Sequence, residues 1–151
     1  MANILVSACL LGVACRYKGD ARPCDWVLAL SDQYSLIPVC PEQLGGLATP
    51  RSPAEQKGGR VVNTQGEDVT AFFERGAQAA LSLARLNHVA CAVLKARSPS
   101  CGSGEIYDGS FSGSLIPGDG VSAALLKQSG IRVFSENEQA AFLEYMKTLS
   151  D

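Results

Sequence analysis

Apolar residues in this chain come in short blocks separated by polar or Gly-containing turns. Asn3 to Ala8 is a brief apolar run of the kind that forms a strand buried on both faces of a parallel sheet, and it ends at Cys9. A Gly-containing loop over Leu10 to Asp20 leads to a short helical stretch around Asp25 to Ser31, with Pro23 just ahead of it. A second strand, about Ser35 to Val39, stops at Cys40-Pro41, because proline lacks the donor a central ladder needs. Glu42 to Gly59 is rich in Gly and Pro and reads as a long ordered loop over the sheet edge, with a mobile surface loop as the plain alternative.

The second half repeats the alternation. Arg60 to Asn63 reads as a short edge strand. The best helix follows, with Asp68 as its cap and Val69, Phe72, Phe73, Gly76, Ala80, Leu83 and Ala84 as its apolar stripe. Val89 to Lys95 is another buried strand, and Glu105 to Gly113 a small hairpin or excursion. After Gly118-Asp119-Gly120 a helix runs to about Ser129, with Asp119 as cap and Gly130 as stop. Ile131 to Phe134 is a last strand. Ser135 opens the final helix, where Glu138 completes a capping box and Ala141, Phe142, Tyr145 and Met146 form the apolar face. This alternation predicts an α/β domain of three layers, Rossmann-like, with a mostly parallel sheet and helices on both faces. In such sheets, sites form outside the carboxyl ends of the strands.

The 151 residues, 46% of them hydrophobic, fit a single domain spanning 1–151. The net charge of -2 is made of scattered charges, which predicts no nucleic-acid polymer as partner and no membrane surface. No apolar run is long enough to span a bilayer, and the N-terminus lacks the pattern of a secretory signal, so a cytoplasmic, reducing compartment is expected.

In that compartment the six cysteines point to metal binding or thiol chemistry rather than a disulfide framework. Their positions, 9, 15, 24, 40, 91 and 101, contain no C-x-x-C pair, so any shared site is built by the fold. Cys9 and Cys40 end strands, and Cys101 sits six residues past Lys95, the end of another. If those strands are neighbours, three thiolates face one point, as a soft metal or iron-sulfur cluster requires; otherwise they are unconnected structural cysteines. Cys91 reads as a small buried hydrophobe and Cys24 as a packed or exposed thiol. Cys15 decides the chemistry: four thiolates close a [4Fe-4S] cluster for electron transfer, whereas three leave an iron open as a Lewis acid.

Glu42, two residues past Cys40, projects from the same loop mouth, where it can move protons; the plain alternative is a helix cap or a pair with Arg51. Ser100 adjoins Cys101 and can donate to a substrate atom or a cluster sulfur, or serve only its Ser-Pro-Ser turn. Arg16, Arg51, Lys95 and Arg97 fall in or beside the edge loops and together suit an anionic group, though each alone is commonly a solvated side chain. His88, the only histidine, falls away from that edge, which argues against a His-dependent triad or a zinc site.

The chain closely resembles the DUF523 family, the group that includes thiouracil desulfidases. The resemblance rests on Ser7-Ala8-Cys9-Leu10-Leu11-Gly12, Cys15-Arg16-Tyr17, Pro38-Val39-Cys40-Pro41-Glu42, Gly45-Gly46, Pro50-Arg51, Pro53-Ala54-Glu55, Ser98-Pro99-Ser100-Cys101-Gly102 and Ile106-Tyr107-Asp108-Gly109-Ser110-Phe111, and covers nearly the entire chain. It implies a [4Fe-4S] cluster held by Cys9, Cys40 and Cys101 with one open iron, and a desulfidase that removes sulfur from thiolated pyrimidines without net redox change. The substrate would be thiouracil or a 4-thiouridine nucleotide. Glu42 and Ser100 would handle proton transfer and positioning, and Arg16, Tyr17 and Arg51 would contact substrate. Lys18 departs from the acidic residue expected after Arg-Tyr in many relatives. A monomer or weak dimer is expected. A non-enzymatic iron-sulfur protein (sulfur carrier or redox module) and a metal-free cysteine-nucleophile enzyme are the competing readings.

Overall fold

Continuous burial along the first strand, with successive side chains pointing to opposite faces, sets the layers. In the computed structural model, which describes residues 1–150, the strands are β1 (Asn3–Ser7), β2 (Ser35–Val39), β3 (Ala54–Lys57), β4 (Arg60–Asn63), β5 (Cys91–Leu94), β6 (Glu105–Tyr107), β7 (Leu115–Pro117) and β8 (Val133–Ser135). The helices are α1 (Asp25–Ala29), α2 (Pro41–Leu44), α3 (Thr70–Leu86), α4 (Val121–Gln128) and α5 (Gln139–Ser150). β2, β1, β5 and β8 pair in that order, all parallel. Ile4, Val6, Cys91 and Val93 pack with Val27 of α1 and with Phe142 and Met146 of α5. Leu5, Ala92 and Leu94, on the opposite face, pack with Leu81 and Ala84 of α3 and with Ala123 and Leu126 of α4. The expected three layers, with helices on both faces of a parallel sheet, are therefore present. From β1 the chain steps to β2 on one side and later to β5 on the other, and that reversal leaves a crevice at the carboxyl ends of β1 and β5.

Several expectations need correction. The segment from Glu42 to Gly59 is not one loop: it opens with α2 and contains β3, which pairs antiparallel with β4. The Arg60–Asn63 strand thus belongs to a separate ribbon and is not an edge of the main sheet. Three consecutive polar residues, Glu55, Gln56 and Lys57, give this strand no apolar run. Asp119 does not cap α4; its Oδ1 accepts the Gly104 N–H at 2.9 Å and the Lys127 ammonium at 2.8 Å, and Gly120 holds the cap position. Ala141 is exposed rather than part of the buried face of α5, which is centred on Phe142 and Met146. The capping box is only half formed: the Ser135 N–H donates to Glu138 Oε1 at 2.9 Å, but the Ser135 hydroxyl accepts from the Asn137 N–H at 3.1 Å and α5 begins at Gln139.

One contact fixes where α2 sits. A Cβ on Gly76 of α3 would meet the Pro41 carbonyl oxygen at 1.9 Å, and one on Gly45 would meet the Phe72 carbonyl oxygen at the same distance. The two backbones touch, and the position of α2, which carries Glu42 and follows Cys40, depends on that approach. Gly76→Ala is expected to destabilise the protein by at least about 1–3 kcal/mol, the usual cost of overpacking, read as a lower urea midpoint.

Asp68 accepts the Thr70 hydroxyl at 2.6 Å and the Thr70 N–H at 2.9 Å, and pairs with Arg60. The Thr70 hydrogen bonds, aided by Arg60, hold its carboxyl down at about 2, below the ordinary 3.8. The stabilisation from a depressed carboxyl is fully present above the ordinary value and is lost as pH falls through the folded one. Asp68→Asn should therefore be less stable than the parent at neutral pH, with the gap in urea midpoints closing as pH drops from about 4 toward 2.

Candidate metal centre

Three chain segments meet at the crevice. Ser7 ends β1, and Cys9 sits in the 3-10 turn Ala8–Leu11, closed by Gly12 in the left-handed region. Backbone bonds from Arg22 to the Cys9 carbonyl (2.9 Å) and from Cys24 to the Leu10 carbonyl (3.0 Å) fold the following loop back on this turn, which buries Cys15 beside it. Cys40 caps α2 at the end of β2, with Pro41 in the first helical position, where its missing N–H costs nothing.

Cys101 is placed by a turn that α4 clamps. Ser98 Oγ accepts the N–H groups of Ser100 (3.0 Å) and Cys101 (2.9 Å). The first N–H groups of α4 donate to this turn: Val121 to the Pro99 carbonyl and Ser122 to the Ser100 carbonyl, each at 2.8 Å. Orphan donors of a helix start are thus used to dock a loop. The approach requires Gly120, where a Cβ would meet the Ser100 carbonyl carbon at 2.4 Å. Gln56 of β3 adds bonds to the Pro99 and Asp119 carbonyls at 3.1 and 2.8 Å. Ser7, buried, accepts the Lys95 N–H at 2.9 Å through its hydroxyl oxygen and hydrogen-bonds the Cys101 thiol.

Cys9, Cys15, Cys24, Cys40 and Cys101 all line one cleft of about 870 Å³. The Cys40 thiol donates to the Cys15 carbonyl at 3.6 Å. The Cys15 thiol is lowered by its bond to Cys40, but the bond to Cys9 and burial outweigh this and leave it raised. Cys40 is raised by its thiol contact with Cys15 and by burial. Burial pushes Cys101 up to about 12, against the opposing hydrogen bonds of Ser7 and Ser100. These thiols are poor free nucleophiles at neutral pH, since reactivity belongs to the thiolate.

Glu42 lines the cleft, and its Oε1 accepts from Arg51 Nε at 2.9 Å. This is the pairing weighed as the plain alternative. Arg51 is itself buried and also donates to the Thr49 hydroxyl at 2.9 Å, the Ala48 carbonyl at 3.2 Å and the Cys15 carbonyl at 2.9 Å. It orients Glu42 and the Cys15 loop with all three of its nitrogens engaged. Ser100 differs from expectation: it is buried under α4, with its hydroxyl 3.0 Å from Ser122 Oγ, and only its link to the Cys101 thiol faces the site. Arg16 lines the cleft but pairs with Asp20 at 2.8 Å, and it lies with Lys18 over the Tyr17 ring. Lys95 and Arg97 pair with Glu136 and Glu105. The expected group of free cations is instead a set of ion pairs. Cys91 is buried beside Met146, away from the cleft, and His88 is also outside it.

Sequence reading missed Ser7, Glu55, Glu136 and Phe111. Ser7, Glu55 and Phe111 stood in the motifs that carry the resemblance, and Ser7 was also a polar residue at the end of an apolar strand; Glu136 carried no signal.

A family model for 2-thiouracil desulfurase matches residues 4–138. The chain belongs to the 2-thiouracil desulfurase family. A relative described as uncharacterized, YbbK of Bacillus subtilis (strain 168), is 48% identical over 145 residues, covering 89% of this chain and 96% of its own. A solved structure of a [4Fe-4S]-dependent thiouracil desulfidase, TudS, matches with a TM-score of 0.90 and 46% identity, covering 99% of each chain. No three His, Cys, Asp or Glu side chains among the described residues lie close enough to share one metal ion. In this 2-thiouracil desulfurase family member the fit to a cluster rests on donor type, since Cys9, Cys15, Cys24, Cys40 and Cys101 all line the cleft. The donors fit: buried sulfur, with no imidazole lining the cleft.

Ser7→Ala removes the acceptor of the partly buried Lys95 N–H and is expected to cost about 1 kcal/mol, the usual worth of one hydrogen bond, measured by urea unfolding.

Proposed function

We propose that this protein is a [4Fe-4S]-dependent, non-redox desulfidase that converts a thiolated pyrimidine, thiouracil or a 4-thiouridine nucleotide, to the oxo-pyrimidine and sulfide. The observation that carries the reading is the meeting of the Cys9, Cys40 and Cys101 thiols with Glu42 on one cleft, in a member of this family. Cys9, Cys40 and Cys101 are the proposed ligands, with one iron left open. When bound, the cluster supplies a thiophilic Lewis acid that polarises a thiocarbonyl, with no electron gained or lost overall.

The protein's own groups do the rest. Glu42, held through Oε1 by Arg51, takes the proton of the attacking water and returns it. The water oxygen bonds to the ring carbon, the C–S bond breaks, and the sulfur departs with both water protons as hydrogen sulfide, so no reductant is needed. Ser100 and Ser7 hydrogen-bond the Cys101 sulfur and fix its direction. Arg16 and Tyr17 border the cleft as contacts for substrate.

The raised thiols support this reading over a metal-free cysteine nucleophile, which requires a lowered one. The carboxylate beside them supports hydrolysis over a pure redox module. A single domain spanning the chain, cytoplasmic and working as a monomer or weak dimer, completes the proposal; no helix among the described residues is long and apolar enough to cross a membrane.

Anaerobic reconstitution should give a brown protein that turns thiouracil into uracil and sulfide without reductant; a cluster that only exchanges electrons would refute the reading. Alanine at Cys9, Cys40 or Cys101 should abolish cluster uptake, measured as iron content. Cys15→Ala should retain about four irons per chain. Glu42→Ala should keep the cluster and lose about 100-fold or more in kcat, the scale of a general base.

A further inference from the structure

Phe111 occupies an unusual position. Its φ is 57°, in the left-handed region that a bulky residue rarely adopts. It lines the same cleft as the thiols, is 39% exposed, and belongs to none of the three apolar clusters. No aromatic ring or cation among the described residues engages its face, whereas the Tyr17 ring carries Arg16 and Lys18. A strained, exposed aromatic does nothing for the core.

The turn that presents it is nonetheless firmly built. Glu55, buried on β3, accepts the N–H of Gly109 at 3.0 Å and of Phe111 at 3.1 Å through one carboxylate oxygen. Gly109 lies against β3 so closely that a Cβ would meet the Gln56 carbonyl at 2.7 Å. Asp108 accepts the Ser110 N–H at 2.9 Å, and the Ser110, Ser112 and Ser114 hydroxyls link on from there. A buried carboxylate is a costly device for a surface turn unless the conformation itself matters.

We propose that Phe111 is the wall on which the planar base of the substrate stacks, with Glu55 as the positioning residue that holds the turn. The inference rests on the desulfidase reading, whose substrate is a flat heteroaromatic ring. Such a ring offers a π-face to an aromatic side chain whatever its substituents, so Phe111 contributes affinity and orientation and leaves choice between C=S and C=O to the sulfur-binding side.

The test is steady-state kinetics on the anaerobically reconstituted enzyme, together with equilibrium dialysis of uracil. Phe111→Ala should raise KM for thiouracil, and weaken uracil binding, by roughly tenfold, the effect of removing one stacking partner, with a smaller change in kcat. Phe111→Tyr should restore both. Glu55→Ala should follow Phe111→Ala, and Glu55→Gln, whose amide oxygen still accepts both N–H groups, should recover KM. An active parent enzyme whose KM and uracil affinity are unchanged in Phe111→Ala overturns this inference alone. A parent that takes up its cluster but desulfurates no thiolated pyrimidine overturns the desulfidase reading and this inference with it.

Discussion

Everything at the site depends on β1 pairing with two strands at once. β2 on one side and β5 on the other bring residues near 9, 40 and 101 to one edge, although the chain separates them by dozens of positions. Closing such long loops costs entropy that thiol contacts cannot offset. The offset comes from the sheet, whose Ile4, Leu5 and Val6 are fully buried between two helical layers. Ser7 then converts strand pairing into site geometry. It ends β1, accepts from Lys95 at the end of β5, and touches the Cys101 thiol.

The sheet was legible in the sequence because buried strands and an amphipathic helix write themselves as periodicity. The central strands were found within a residue or two, as was α3. The β3–β4 ribbon was not, because Glu55 and Gln56 are polar residues turned inward to hold other loops, which reverses the usual meaning of polarity. The convergence of Cys9, Cys40 and Cys101 followed from three strand ends sharing one edge. Their surroundings did not: that Arg51 would claim Glu42, and that Ser100 would turn beneath α4, depend on contacts across the chain that no local pattern encodes. The same holds for the cations, since Arg16, Lys95 and Arg97 each find a carboxylate only in the folded chain.

Those ion pairs bear on the electrostatics of the cleft. A thiolate can be stabilised by nearby positive charge, but here the surrounding cations are largely spent on Asp20, Glu42, Glu136 and Glu105, and the Cys15, Cys40 and Cys101 thiols are raised. Coordination to a metal is then the natural way to remove their protons. At the proposed cluster site, binding and deprotonation would occur together, and the apo-site would be comparatively inert.

Arg51 joins the two halves of this chemistry. One guanidinium holds the Glu42 carboxylate and the Cys15 carbonyl, so the proposed proton-handling group and the loop beside the thiols share a single anchor. Movement of either would cost the other a charge-assisted bond in a partly dry cleft. The carboxylate is therefore fixed relative to the Cys15 loop, and on the same cleft Phe111 is held by the Glu55 carboxylate. Under the proposed function, a flat substrate in this cleft would meet groups already held in place. Orientation is supplied before reaction begins, and little remains to be ordered at the reacting carbon.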